Sequence, residues 1–281
     1  MKKAVLVAAA VFVIASAASA GTPNVPSGVT GFWQFATNAT KLKATVGNDL
    51  VSVNEASTWF MAPWTTIGTP SQPDLLTDNG CVQEQSYGYL QCNPGLHANG
   101  GGSYVNQYTI AWDYRQTNVT GDSYNSLLQT SYGGNDDDGD LWIYNDTADM
   151  TQSEIGVGDA GYSGDNGMYF DASQWNRIVL SVNNGNWFRV YINGVLFLDG
   201  AGQDVDGRYS LYTDRVNFFA DDDWEDAWGL VSNIAVWDHA LTGDEIAAMG
   251  STTTPLVFTP EPATMSLLAL GGLALIRRNR K

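Results

Sequence analysis

The sequence predicts an all-β fold, an antiparallel β-sandwich or jelly roll, over residues 21–249. Three observations carry that prediction. Apolar and polar residues alternate over short runs, the signature of strands with one buried face. Glycine (30 in all) and Asn/Asp clusters punctuate those runs with turn chemistry. Helix signals are confined to one stretch near the C-terminal end. Ten Trp, 13 Tyr and 10 Phe supply a core and argue against a disordered acidic chain.

The elements are read in order along the chain. Residues 1–20 have the three parts of a signal peptide: basic Met1-Lys2-Lys3, an apolar run Ala4 to Ile14, and small Ala18-Ser19-Ala20. Cleavage by signal peptidase is expected after Ala20. "YTIAWDYR" places Tyr108, Ile110, Trp112 and Tyr114 on one face of a strand, and "SLLQTS" and "GDLWIYN" follow as further strands. From Trp175 to Asp199 the pattern predicts a three-stranded meander. Ile178, Leu180 and Val182 alternate with their neighbours, Asn183-Asn184-Gly185 turns, Phe188, Val190 and Ile192 resume, and Asn193-Gly194 turns again. In "LTGDEIAAM" Thr242 is an N-cap with Glu245 three residues on, a capping box ahead of Ile246 and Met249. Residues 250–259 read as a linker, and 260–281 as a separate terminal segment with a short apolar helix.

That terminal segment is unusual. Ala263 to Ile276 is a 14-residue apolar run, about 21 Å of helix, short of the roughly 20 residues that span a bilayer comfortably. Basic residues close the chain. With both end segments removed, six of the 13 basic residues are gone, and residues 21–260 carry 7 basic against 29 acidic groups, a net of −22. Such a field repels polyanions, so nucleic acid is excluded as a partner. Cys81 and Cys92 flank a ten-residue segment, and a local disulfide across a hairpin is expected in an oxidising compartment.

Two resemblances emerge from these residues. "QWNRIVLSV…FRVYING" followed by "WGLVSNIAVWDHALTGDEIAAM" resembles the C-terminal half of the laminin-G-like, concanavalin A-type family, and "LKATVGNDL" and "ANGGGSYVNQYTIAWDYR" resemble its N-terminal half. The resemblance implies a concanavalin A-like jelly roll. At one position the chain departs from it: Ser232 and Asn233 stand where the family often has acidic residues, so no ligand role carries over there. Pro260-Glu261-Pro262, the apolar run and Arg277-Arg278 resemble the bacterial PEP-CTERM sorting signal. That implies an exosortase-type processing enzyme as partner, transient membrane association, and an envelope, cell-surface or matrix location in a Gram-negative bacterium. A plain C-terminal anchor is the alternative.

Chemistry is sparse. "NDDDGD" spaces Asp136, Asp138 and Asp140 two apart, and "ADDDWED" places Asp221 and Asp223 beside Trp224. Carboxylate-dense loops suit Ca²⁺, which takes six to eight oxygens; the same residues also read as solvated turn acids. Trp224 and Trp228 are the candidates for stacking on a sugar ring. No nucleophile elbow, zinc motif or phosphate loop is present, and the glutamates are scattered. The expected function is therefore an exported, non-enzymatic surface or matrix protein that binds glycan or another surface component. A structural coat protein without a ligand, or a glycoside hydrolase on the same fold, are the alternatives.

Overall fold

The structure is a computed structural model that describes residues 24–35, 38–53, 59–61, 81–84, 89–117, 123–130, 140–221, 225, 229–254 and 256. Sixteen strands lie among them. In chain order they are β1 (Val29–Trp33), β2 (Ala44–Val46), β3 (Val51–Val53), β4 (Trp59–Met61), β5 (Cys81–Glu84), β6 (Tyr89–Cys92), β7 (Gln107–Gln116) and β8 (Ser123–Gln129). Then follow β9 (Asp140–Asn145), β10 (Glu154–Val157), β11 (Gly161–Tyr162), β12 (Asn176–Asn183), β13 (Trp187–Ile192), β14 (Val195–Gly200), β15 (Val216–Phe218) and β16 (Gly229–Trp237). One α-helix, α1 (Gly243–Met249), closes the sandwich unit, which spans Val25–Pro255.

These strands form two antiparallel sheets, the β-sandwich the sequence predicts. The first runs β14-β13-β12-β7-β16-β1-β2, with β5 also on β16 and β4 on β5. The second runs β11-β10-β9-β8-β15-β6-β3. The predicted meander is β12-β13-β14, and its second turn has Asn193 at φ 51° and Gly194 at φ 82°, the left-handed geometry that Asn-Gly tolerates. The capping box is also in place: the Thr242 hydroxyl accepts from Glu245 N–H, and the Glu245 carboxylate accepts from Thr242 N–H at 2.9 Å.

Inward-facing side chains of the two sheets interdigitate. Phe218 of β15 sits edge-on to both Trp33 of β1 and Trp112 of β7, with ring centroids 6.0 and 6.4 Å away. All three are fully buried, and burying such a side chain is worth about 1.5–3 kcal/mol. Trp175 is buried as well.

One feature of the first sheet differs from simple alternation: β7, β12 and β16 are buried on both faces. Their outward residues mix apolar side chains such as Ala111, Val179 and Ala235 with polar ones that bond to the chain packed over them. Thr109 Oγ1 donates to His239 O at 2.9 Å, and Ser181 Oγ donates to Leu241 O at 2.9 Å. Arg177 grips Asp113 with Nε and Nη2, at 2.7 and 3.0 Å, and donates through Nη1 to Met249 O at 2.6 Å. Asn233 Nδ2 adds a bond to the same carboxylate at 2.9 Å. An Asn suits this position because a second carboxylate would face Asp113 with like charge.

The expected Cys81–Cys92 bridge is corrected by this topology. Their strands, β5 and β6, do not pair with each other and belong to different sheets. Cys81 lies opposite Met61 in the first sheet, whereas Cys92 lies opposite Val216 in the second. Cys92 is a free, buried thiol, and burial pushes its pKa up to about 12.

Candidate functional site

A candidate site follows from the register of the second sheet. Leu90, Cys92, Leu128, Leu141, Ile143, Ile155 and Phe218 point into the core. Because strand residues alternate faces, their neighbours form the outer face, and three cross-strand rows can be traced on it. The first is Gln91–Asn217–Gln129–Asp140, across β6, β15, β8 and β9. The second is Ser126–Trp142–Gly156–Tyr162, across β8, β9, β10 and β11. The third is Tyr124–Tyr144–Glu154, across β8, β9 and β10.

The first row is an amide ladder ending in a carboxylate. Gln91 Nε2 donates to Asn217 Oδ1 at 2.8 Å. Asn217, Gln129 and Asp140 are all buried although they lie on the outer face. Asn217 Nδ2 has no hydrogen-bond partner among the described residues, and neither does Trp142 Nε1 in the second row. Buried donors are satisfied in the great majority of cases; other unpartnered ones among the described residues, at Trp112, Trp175 and Trp187 Nε1, lie away from this face.

The second and third rows are aromatic. Tyr124 stacks on Tyr144 with centroids 4.7 Å apart and meets Trp142 edge-on at 5.7 Å; Tyr144 lies 5.9 Å from Tyr162. All four are half-buried. Together they make a rigid shelf whose rings are partly open to solvent. Glu154 borders it. Burial raises the Glu154 pKa, the charges of Asp165 and Asp146 raise it further, and the Gly164 N–H opposes them. Gly164 leaves room for the Glu154 carboxyl, which lies where its Cβ would stand. Tyr162 also has a raised pKa, first from burial, then from the neighbouring Tyr124, Glu225, Tyr209 and Glu154.

The sequence-predicted residues divide. Asp140 lands on this face, at the end of the amide ladder. Asp221 lies beyond β15, where its Oδ2 accepts Glu225 N–H at 2.8 Å. The carbonyl of Glu225 in turn accepts Ser126 N–H at 2.7 Å, which fixes Glu225 beside β8. Asp136, Asp138, Asp223, Trp224 and Trp228 fall outside the described residues, as do Pro260, Glu261, Pro262, Arg277 and Arg278. Among the described residues no three His, Cys, Asp or Glu side chains converge as a metal site would require. Sequence reasoning missed Asn217, Trp142, Tyr144 and Glu154. A signal existed for two of them: in "DLWIYN" the Asp, Trp and Tyr alternate with Leu and Ile, which turns Trp142 and Tyr144 outward with Asp140.

Two antiparallel sheets packed face to face define a β-sandwich. The comparisons agree. Residues 86–247 match the Laminin_G_3 family, described as the concanavalin A-like lectin/glucanases superfamily, and the chain belongs to it. Residues 258–281 match the PEP-CTERM protein-sorting motif. No curated protein matches the chain. Among solved structures it resembles domain 4 of AbnA, an extracellular arabinanase of Geobacillus stearothermophilus solved with arabinotriose. Identity there is 15%, TM-score 0.45, with 79% of this chain and 98% of that chain covered. A Trypanosoma rangeli sialidase mutant with trans-sialidase activity is 14% identical with TM-score 0.49, covering 84% of this chain and 34% of that one. The binding domain of Paraclostridial Mosquitocidal Protein 1 is 12% identical with TM-score 0.49, covering 79% and 51%.

Proposed function

We propose that this chain is an exported, non-enzymatic cell-surface or matrix protein that binds glycan across the outer face of its second sheet. The observation that carries the reading is the shelf of Tyr124, Trp142, Tyr144 and Tyr162, beside an amide ladder with an unpartnered donor. Aromatic faces stack on sugar rings, and amides bond to their hydroxyls. The sorting motif supports export and processing by an exosortase-type enzyme. Removal of residues 1–20 belongs to the same proposal, and the intact mass of protein purified from its host tests it.

Absence of catalysis is part of the reading. Asp140 and Glu154 are the carboxylates in the three rows, set one strand and four residues apart, about 14 Å between Cα atoms at ordinary strand spacings. Glycoside hydrolysis uses carboxyl pairs about 5–9.5 Å apart. Binding is tested by titrating Trp142→Ala and wild type on a glycan array; loss in the variant is expected, and a wild type that binds no glycan leaves the structural-coat alternative. Reducing ends released from any bound polysaccharide, and lost in Glu154→Gln, would make the protein a hydrolase instead.

A further inference from the structure

We infer that Asn166 is a site of spontaneous chemical modification, where the side-chain amide is exchanged for a carboxylate in the turn that follows Tyr162. The only co-reactant is water. In an Asn-Gly pair the glycine nitrogen, after giving up its proton, bonds to the Asn Cγ. The Cγ–Nδ2 bond breaks, the leaving nitrogen takes a proton and departs as ammonia, and a succinimide ring closes. Water then adds to one of the two ring carbonyls and breaks its bond to the glycine nitrogen, which takes back a proton. The product is aspartate or isoaspartate. Glycine suits the second position because no Cβ hinders the close approach of its backbone.

Four Asn-Gly pairs lie among the described residues, and the structure separates one from the rest. Asn99 Nδ2 donates to Gln107 O at 2.8 Å and to Asp238 O at 3.0 Å, while its Oδ1 accepts from the Asn106 and Gln107 N–H groups, both at 2.7 Å. Asn184 is buried and donates to Asn106 Oδ1 at 3.1 Å. Asn193 accepts from Arg177 N–H and donates to Asn176 Oδ1, both at 2.9 Å. Asn166 is exposed, and its side chain makes no hydrogen bond among the described residues. The glycines divide in the same way. A Cβ on Gly100, Gly185 or Gly194 would meet atoms at 2.8, 3.6 and 3.4 Å, whereas around Gly167, at φ 71°, nothing lies within 4 Å. One bond opposes the attack: Gly167 N–H donates to Gly164 O at 2.8 Å, at the end of the single 3₁₀ turn Ser163–Asn166. So short a turn opens locally at little cost, and no side-chain bond then keeps the amide from the nitrogen. Isoaspartate would route the main chain through the former side chain, displacing that bond and the one from Met168 N–H to Ser163 O at 3.0 Å. The new charge falls next to Asp165, which already acts on Glu154.

The test is peptide mapping by mass spectrometry of the purified full chain, aged at mildly alkaline pH both folded and in urea, with isoaspartate assayed by enzymatic methyl transfer. In the folded protein, position 166 should convert at least about tenfold faster than positions 99, 184 and 193, the scale that separates a locally opening turn from a held one. In urea the four positions should convert at similar rates, since each is followed by glycine. Asn166→Gln should abolish the product at 166 and leave the other three positions as slow as before. Conversion at 99, 184 or 193 as fast as at 166 in the folded protein overturns the inference. Survival of the Asn166 amide in the folded protein, under conditions that convert it in urea, also overturns it. So does an advantage of position 166 that persists undiminished in urea, because the neighbouring residues and not the fold would then set the rate.

Discussion

Arg177 and Asp113 are each about 1% exposed, joined by two hydrogen bonds and held in place by Asn233 and the Met249 carbonyl. Removing one partner leaves the other charge buried alone. Arg177→Met should therefore cost about 3–5 kcal/mol in urea denaturation, and the double variant Arg177→Met/Asp113→Leu should recover part of it. Glu154 carries the opposite consequence. Its folded pKa lies above the ordinary value of 4.5, so its contribution is complete below that value and is lost as pH rises through the folded value. Glu154→Gln removes the loss. Its melting temperature should exceed wild type at pH 7 and converge with it near pH 4.

Local elements were the legible part of the chain. Meander, Asn-Gly turn and capped helix each announce themselves within a dozen residues, because turn and cap chemistry act through neighbours. Thr242→Ala removes the α1 cap and should cost about 1 kcal/mol, read as a lower urea midpoint at unchanged slope. Sheet assignment was not legible. The three residues of β15 are too few to show a period, yet Asn217 among them stands in the middle of the second sheet. Spacing alone made Cys81 and Cys92 a hairpin pair; only partners far along the chain, β16 for β5 and β15 for β6, place the two strands in different sheets. Sequence alternation likewise turned Asp140 outward but gave no hint of the amides that β6, β15 and β8 bring into line with it.

At the scale of the molecule, charge dominates. With 29 acidic against 7 basic groups between residues 21 and 260, folding works against self-repulsion, and added salt should raise the melting temperature. Calcium is proposed at the two acidic clusters, Asp136, Asp138 and Asp140, and Asp221 and Asp223, so Ca²⁺ is expected to raise it beyond matched Mg²⁺, and EDTA to reverse that excess; equal responses to the two ions would leave the acids as surface charge. The pairing of β1 with β16, Val29 opposite Trp237, has a consequence in time. β1 cannot find its neighbour until about two hundred further residues have been made, and such distant pairings form slowly. On the export proposed above, translocation would deliver an unfinished sheet, and the first sheet would close outside, on the far side of the membrane.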